Sequence, residues 1–111
     1  MVLALMASGL NGQRWRFHGY LPIESHLRVK ALSALDRDAR VLQETQIFMD
    51  TPYRNQRLLE DVLATCSPES MLCVASSLTT ASESIRLMSI KSWRSCELIL
   101  AKEPALFLLG A

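Results

Sequence analysis

Five short apolar runs recur along the chain, within RWRFHGYLP (14–22), TQIFM (45–49), MLCVAS (71–76), SIRLM (84–88) and ALFLLG (105–110). Each is too short for a helix and rich in strand formers, so each reads as a strand. Most of the stretches between them carry helical spacing instead. After Ser25, which can act as a helix cap, Leu27, Ala31, Leu35 and Leu42 recur near every fourth residue, with Arg28, Lys30, Asp36, Arg37 and Arg40 mostly on the wet side and Arg28 and Lys30 ambiguous. Leu58, Leu59, Val62, Leu63 and Cys66 form the apolar stripe of a second helix that Ser67-Pro68 ends. A short third helix is expected around Lys91 to Cys96. Strands alternating with helices place the chain in the α/β class, as a mixed sheet of about five strands covered by helices. The final run carries almost nothing polar and is expected at the centre of that sheet.

The first of these strands alternates strictly. Trp15, Phe17 and Gly19 face one way against Arg14, Arg16 and His18, which predicts a half-buried strand with the aromatics inward and a wet basic face. At 111 residues and half apolar, the chain forms one domain at most. Its twelve Lys+Arg against eleven Asp+Glu leave a formal net charge of +1, so any nucleic-acid or anionic partner must be drawn by a local patch. The opening MVLALMASGL has no basic stretch before it and is too short to span a bilayer, so neither a signal peptide nor a membrane anchor is read there. It looks like part of a helix that begins without a cap, as if cut from a larger protein, with Gly9, Asn11 and Gly12 breaking it.

The stretch FMDTPYRN, residues 48–55, gathers polar groups where a strand passes into a helix. Thr51 suits an N-cap, and Pro52 suits the first helical position, where its missing N–H costs nothing. In open α/β sheets, ligands bind outside the carboxyl ends of strands, where loops and helix N-termini form a crevice. Met49-Asp50-Thr51, Ala75-Ser76-Ser77 and Leu109-Gly110 all end apolar runs in small or polar residues. Asp50 is a candidate acceptor for a ligand's hydroxyls or ammonium, and Arg54 a candidate cation for a bound anion. A Thr-Pro helix start also explains these residues with no ligand at all.

Other chemistries are poorly served. The glycines, at 9, 12, 19 and 110, make no phosphate-cradling loop, and no Ser/His/Asp spacing signals a nucleophile. Cys66, Cys73 and Cys96 lack the close pairs of zinc sites and lie far from His18 and His26, so no metal site is expected. They read as buried, reduced thiols suited to a cytoplasmic protein. Trp15 and Trp93 are isolated and read as core or interface aromatics.

In order along the chain, ALMASGLNGQRWRFHGYLP, TQIFMDTPYRNQRLLEDVLA, LCVASSLTTASESIR and PALFLLG resemble the C-terminal half of tetrapyrrole-methylase-type methyltransferases, nearest the ribosomal RNA small-subunit methyltransferase I branch. The resemblance spans almost the whole chain. It implies the C-terminal domain of a two-domain class III methyltransferase, with residues 1–13 the tail of an interdomain helix and turn, and with the glycine-rich N-terminal domain absent. It further implies S-adenosylmethionine in the cleft between domains, and usually a homodimer. Carried over by position, it places Met49, Asp50, Thr51, Ala75, Pro104, Ala105 and Leu106 at the cofactor and Arg54 toward substrate, with no catalytic base assigned. Asp50 stands where the family usually has glutamate. Of the family's Arg-Glu-Leu-Thr-Lys pattern only Leu78 and Thr79 remain, although Glu83 and Arg86 fit the strand that follows. The implied reaction is ribose 2'-O-methylation of small-subunit ribosomal RNA. The alternatives are methylation of a porphyrin or corrin ring and, for the chain by itself, a non-catalytic dimerisation module.

Overall fold

The structure, a computed structural model, describes residues 14–76, 84–96 and 104–110. The opening segment 1–13, residues 77–83 and Lys102-Glu103 therefore lie outside the described residues. In chain order the elements are β1 (Trp15–Tyr20), α1 (Ser25–Leu42), β2 (Thr45–Met49), a 3₁₀ turn (Pro52–Arg54), α2 (Asn55–Thr65), β3 (Met71–Ser76), β4 (Ser84–Ser89), α3 (Ile90–Ser95) and β5 (Ala105–Gly110). The strands make one mixed sheet in the order β1-β2-β5-β3-β4. Among the described strands only β1 and β2 pair in parallel; β5 is antiparallel to both its neighbours, β2 and β3. The last strand of the chain occupies the centre, as its unbroken apolar sequence predicts.

Because strand side chains alternate, the sheet has two distinct faces. On one, Phe48, Phe107, Leu72, Val74 and Leu109 pack against Leu32 and Leu35 of α1, Leu58 and Val62 of α2, and Ile90 and Trp93 of α3. Phe48 and Phe107, opposite each other in the register, stack with ring centroids 5.8 Å apart. Trp93 is fully buried because its indole N–H donates to the Leu72 carbonyl at 2.9 Å. On the other face, Ile47, Cys73, Ala75 and Leu108 form a smaller cluster flanked by Ile85 and Leu106. Among the described residues no helix is long and apolar enough to cross a membrane.

Several local expectations change. The buried stripe of α1 is Arg28, Leu32, Leu35, Asp36 and Ala39, while Leu27 is exposed. The helix is rotated from its predicted setting because Arg28, ambiguous in the sequence, and Asp36, placed on the wet side, have buried partners. Ser25 is the first helical residue and provides no cap. Thr51 likewise makes no side-chain cap; its hydroxyl instead lies 3.3 Å from Arg54 Nη1, and Pro52 opens a 3₁₀ turn before α2 begins. The aromatic side of β1 is exposed rather than inward, with Trp15 at 39% and Phe17 at 46%. As an edge strand β1 has one neighbour, and the described helices pack on the face opposite to Trp15 and Phe17. Cys66 and Cys73 are buried as expected, but Cys96 is only half-buried.

Candidate functional site at the sheet rim

One end of the sheet collects the carboxyl ends of β1, β2 and β3 together with the start of β5, because β5 runs against its neighbours. Tyr20 lies beside Met49, Ala75 opposite Leu106 and Ser76 opposite Ala105. The β2–β5 register runs from Gln46↔Leu109 to Phe48↔Phe107 and stops one residue before Met49 and Leu106. The pairing of these two strands thus ends at the rim. Met49, Ala75 and Leu106 share the face of the smaller cluster, whereas Ala105 turns into the main core and Pro104 is exposed. All seven residues expected at the cofactor therefore lie along this rim, on both of its sides.

Asp50 follows Met49 and turns toward the helices, where it is buried. Its Oδ1 accepts from the Thr51 N–H at 2.7 Å and from Arg54 Nη1 at 3.4 Å, and its Oδ2 accepts from Arg28 Nη1 at 3.0 Å. A carboxylate offers about four acceptor positions, and this one has three engaged by the chain itself. Arg28, with its side chain 4% exposed, donates its Nε to Asp61 Oδ2 at 2.9 Å and so ties α1 to α2 as well as to the end of β2. Arg57 Nε stands 3.8 Å from the other Asp61 oxygen.

Beside this cluster opens a cavity of about 470 Å³. Its apolar wall is Tyr20-Leu21-Pro22-Ile23, the connection leaving β1, and its polar wall is Asp50, Thr51 and Arg54. The Arg54 side chain is 38% exposed. Three of the residues expected at a site from sequence are therefore brought together in one cavity, while Met49, Ala75 and Leu106 lie at the same sheet end on the opposite face. The residues that sequence reasoning missed are Arg28, Asp61 and the Tyr20–Ile23 wall. Arg28 did carry a signal: residues 28, 32, 35 and 39 follow helical spacing more closely than 27, 31, 35 and 42.

No family model matches the chain. Among curated proteins it is similar to the ribosomal RNA small subunit methyltransferase I of Haemophilus influenzae, 32% identical over 93 residues that make up 84% of this chain and 31% of the relative. The protein of the same description from Escherichia coli O157:H7 is 33% identical over 84 residues, 76% of this chain and 28% of the relative. The chain thus spans about a third of these relatives. Among solved structures, the methyltransferase CobJ matches with a TM-score of 0.62 at 18% identity, covering 99% of this chain and 47% of that one. The fold is that of the tetrapyrrole methyltransferases. Uroporphyrin-III C-methyl transferase from Thermus thermophilus, complexed with S-adenosylhomocysteine, shares this tetrapyrrole-methyltransferase fold with a TM-score of 0.56 at 18% identity, over 96% of this chain and 48% of that one. Diphthine synthase also has it, with a TM-score of 0.55 at 10% identity, over 99% of this chain and 45% of that one.

Proposed function

We propose that this chain is the C-terminal half of an S-adenosylmethionine-dependent methyltransferase, completed by an N-terminal domain of the kind its longer relatives have room for. The observation that carries the reading is the gathering of Met49, Asp50, Thr51, Ala75, Ala105 and Leu106 at one sheet end, where the β2–β5 pairing ends. Ala75 and Ala105 are small and put little side chain at this end, and the adenosine and amino-acid ends of such a cofactor suit backbone donors and acceptors beside apolar Met49 and Leu106. The cofactor supplies an electrophilic methyl on a sulfonium. What this chain's residues contribute is alignment and exclusion of water: the rim seats the donor, and the Tyr20–Ile23 wall and Arg54 orient an acceptor.

Two acceptors have support. The shared fold favours a porphyrin or corrin ring, since two of the solved structures that have it are described as a uroporphyrin-III C-methyl transferase and a cobalt-precorrin-4 methyltransferase. The curated relatives at 32% and 33% identity are described as ribosomal RNA methyltransferases, which supports a ribose hydroxyl of small-subunit RNA. Either acceptor combines flat rings, the bases of RNA or the tetrapyrrole macrocycle, with anionic groups, which fits a cavity lined by an apolar segment and an arginine. Incubating the chain, joined to an N-terminal domain from the H. influenzae relative, with labelled cofactor and either 30S subunits or porphyrin-type rings separates the two.

The reading of the rim itself is tested on the chain alone. Titrating S-adenosylhomocysteine into isotopically labelled protein should shift the backbone amides of Met49, Thr51, Ala75 and Leu106 together, leaving Thr45 and Gly110 at the far sheet end in place. Absent shifts, or shifts confined to the far end, remove it. A homodimer in solution is part of the same proposal, with light scattering as its check.

A further inference from the structure

Arg54 is an arginine whose direction is set by other buried charges. Its Nη1 alone makes the contacts to Asp50 Oδ1 (3.4 Å) and Thr51 Oγ1 (3.3 Å). Among the described residues its Nε and Nη2 have no partner, and these two form the side-on edge of the guanidinium, whose parallel N–H groups match the two oxygens of a carboxylate or phosphate. The residue lines the same cavity as the apolar Tyr20–Ile23 segment. Asp50, which holds the other edge, is itself fixed from behind: Arg28 Nη1 grips its Oδ2 at 3.0 Å while Arg28 Nε is anchored on Asp61 at 2.9 Å. The carboxylate cannot swing into the cavity without breaking a bond that is 4% exposed on one side and 2% on the other.

Charge points the same way. Arg28, Arg54 and Arg57 bring three guanidiniums to the two carboxylates Asp50 and Asp61, so the cluster keeps one positive charge. Arg28 is sealed inside, and Arg57 is not part of the cavity wall, so within the cavity that charge is presented by Arg54. We infer that Arg54 is a bidentate receptor for one oxyanion of the bound acceptor, and that Arg28 and Asp61 are positioning residues that hold Asp50, and through it Arg54, in the receiving orientation. Pre-set donors of this kind raise affinity by lowering the ordering cost of binding. That the oxyanion belongs to a methyl acceptor rests on the function proposed above; the anion site itself does not. The source of the oxyanion is a phosphodiester for RNA and a carboxylate side chain for a tetrapyrrole.

The test follows the Arg54 Nε–Hε resonance while dimethyl phosphate, in one arm, and propionate, in the other, are added to the 111-residue chain. Saturable movement of this resonance is expected, with the stronger arm identifying the source; no saturable movement in either arm overturns the receptor. Arg54→Lys keeps the charge and loses the fork, so binding, now read from the Tyr20 and Thr51 amides, should weaken about tenfold, as for one charge-assisted hydrogen bond. Being half-exposed, this variant keeps the fold, and unchanged affinity there overturns the receptor. Arg28→Lys preserves every formal charge, but a single ammonium cannot bridge two carboxylates as a fork; a loss of about fivefold in affinity with a native amide spectrum is expected. Should that variant not fold, Asp50→Asn decides the positioning role. Removing a negative charge beside Arg54 would tighten anion binding if charge alone mattered, whereas loss of its anchor should weaken it about fivefold. Tighter binding in Asp50→Asn, or wild-type affinity in folded Arg28→Lys, removes the positioning role. Rim amides that answer S-adenosylhomocysteine while Arg54 ignores anions would sink only this inference; the reverse pattern would sink only the methyltransferase reading.

Discussion

Arg28 is held inside the protein by two carboxylates, and that arrangement makes it costly to replace. Its removal leaves Asp50, 2% exposed, and Asp61, 13% exposed, without their shared partner. Leaving buried charge uncompensated typically destabilises by about 3–5 kcal/mol. Arg28→Met, which keeps the length and apolar stem, is therefore expected to lower the unfolding free energy by that amount, read as a lower urea midpoint at unchanged m-value, and a second change, Asp50→Asn, should recover part of the loss. Asp36 is the companion case: its Oδ1 accepts from the Ser70 hydroxyl at 2.5 Å and its Oδ2 from the Ser67 N–H at 3.1 Å, so it pins the turn after α2 to α1.

The thiols give a prediction with a sign. Burial, then the nearby Asp36 carboxylate, pushes Cys66 from its ordinary 9.0 up to about 12, and burial pushes Cys73 up to about 11. Both folded values lie above the unfolded one, so the folded chain holds protons that the unfolded chain releases. The stability they contribute is complete below pH 9.0 and drains away as pH rises toward about 12. Thermal melts should show the transition falling above pH 9.0, and the Cys66→Ala/Cys73→Ala variant should fall less steeply over the same range. In the native protein iodoacetamide should label half-buried Cys96 before either of the others.

At the scale of elements, β1 owes its setting to one glycine. The β1–β2 register passes from Phe17↔Ile47 to Gly19↔Phe48, so His18 is an extra residue bulged out of the ladder. Gly19 turns this corner at φ +69°, and Tyr20 thereby lands beside Met49, on the face of Phe17 and at the mouth of the cavity. A Cβ at Gly19 would meet nothing nearer than the Phe17 ring at 3.9 Å, so Gly19→Ala pays only for the left-handed backbone. The expected loss is about 1 kcal/mol by chemical denaturation. This element also marks how far the sequence could be read. The strands at 45–49, 71–76 and 105–110 were legible because uninterrupted apolar runs admit few other structures. The facing of β1 was not, because strict alternation says that two faces differ without saying which one meets helices, and the bulge inverts the pattern after Phe17. The setting of α1 was misread for a related reason: a charged residue counts as wet in any apolar pattern, and Arg28 and Asp36 are buried by partners 22 to 34 residues away in sequence. Half the candidate site was likewise visible. Asp50, Thr51 and Arg54 sit at a strand end that announces itself, whereas Arg28 and Asp61 reach the same place only once two helices have packed.

For the molecule as a whole, strand order decides how the fold can form. The central position belongs to β5, the last strand, which pairs with β2 on one side and β3 on the other. Until residues 105–110 arrive, β1-β2 and β3-β4 are separate ribbons with no hydrogen-bonded link between them, and two-stranded ribbons are marginal in water. Phe107, Leu108 and Leu109 are fully buried, and Phe107 and Leu108 contribute to opposite faces of the sheet, so both clusters lose their middle without this strand. Removing residues 104–111 should therefore abolish the cooperative transition seen by circular dichroism rather than lower its midpoint. Phe107→Ala, which leaves the strand in place, should retain a single transition weakened by about 3–5 kcal/mol. The same geometry bears on the site. The rim exists only where β5 enters the sheet between β2 and β3, so residues 49, 75 and 106 share one sheet end only once β5 is in place. A truncated chain that still bound S-adenosylhomocysteine at Met49 would contradict this dependence of the rim on β5.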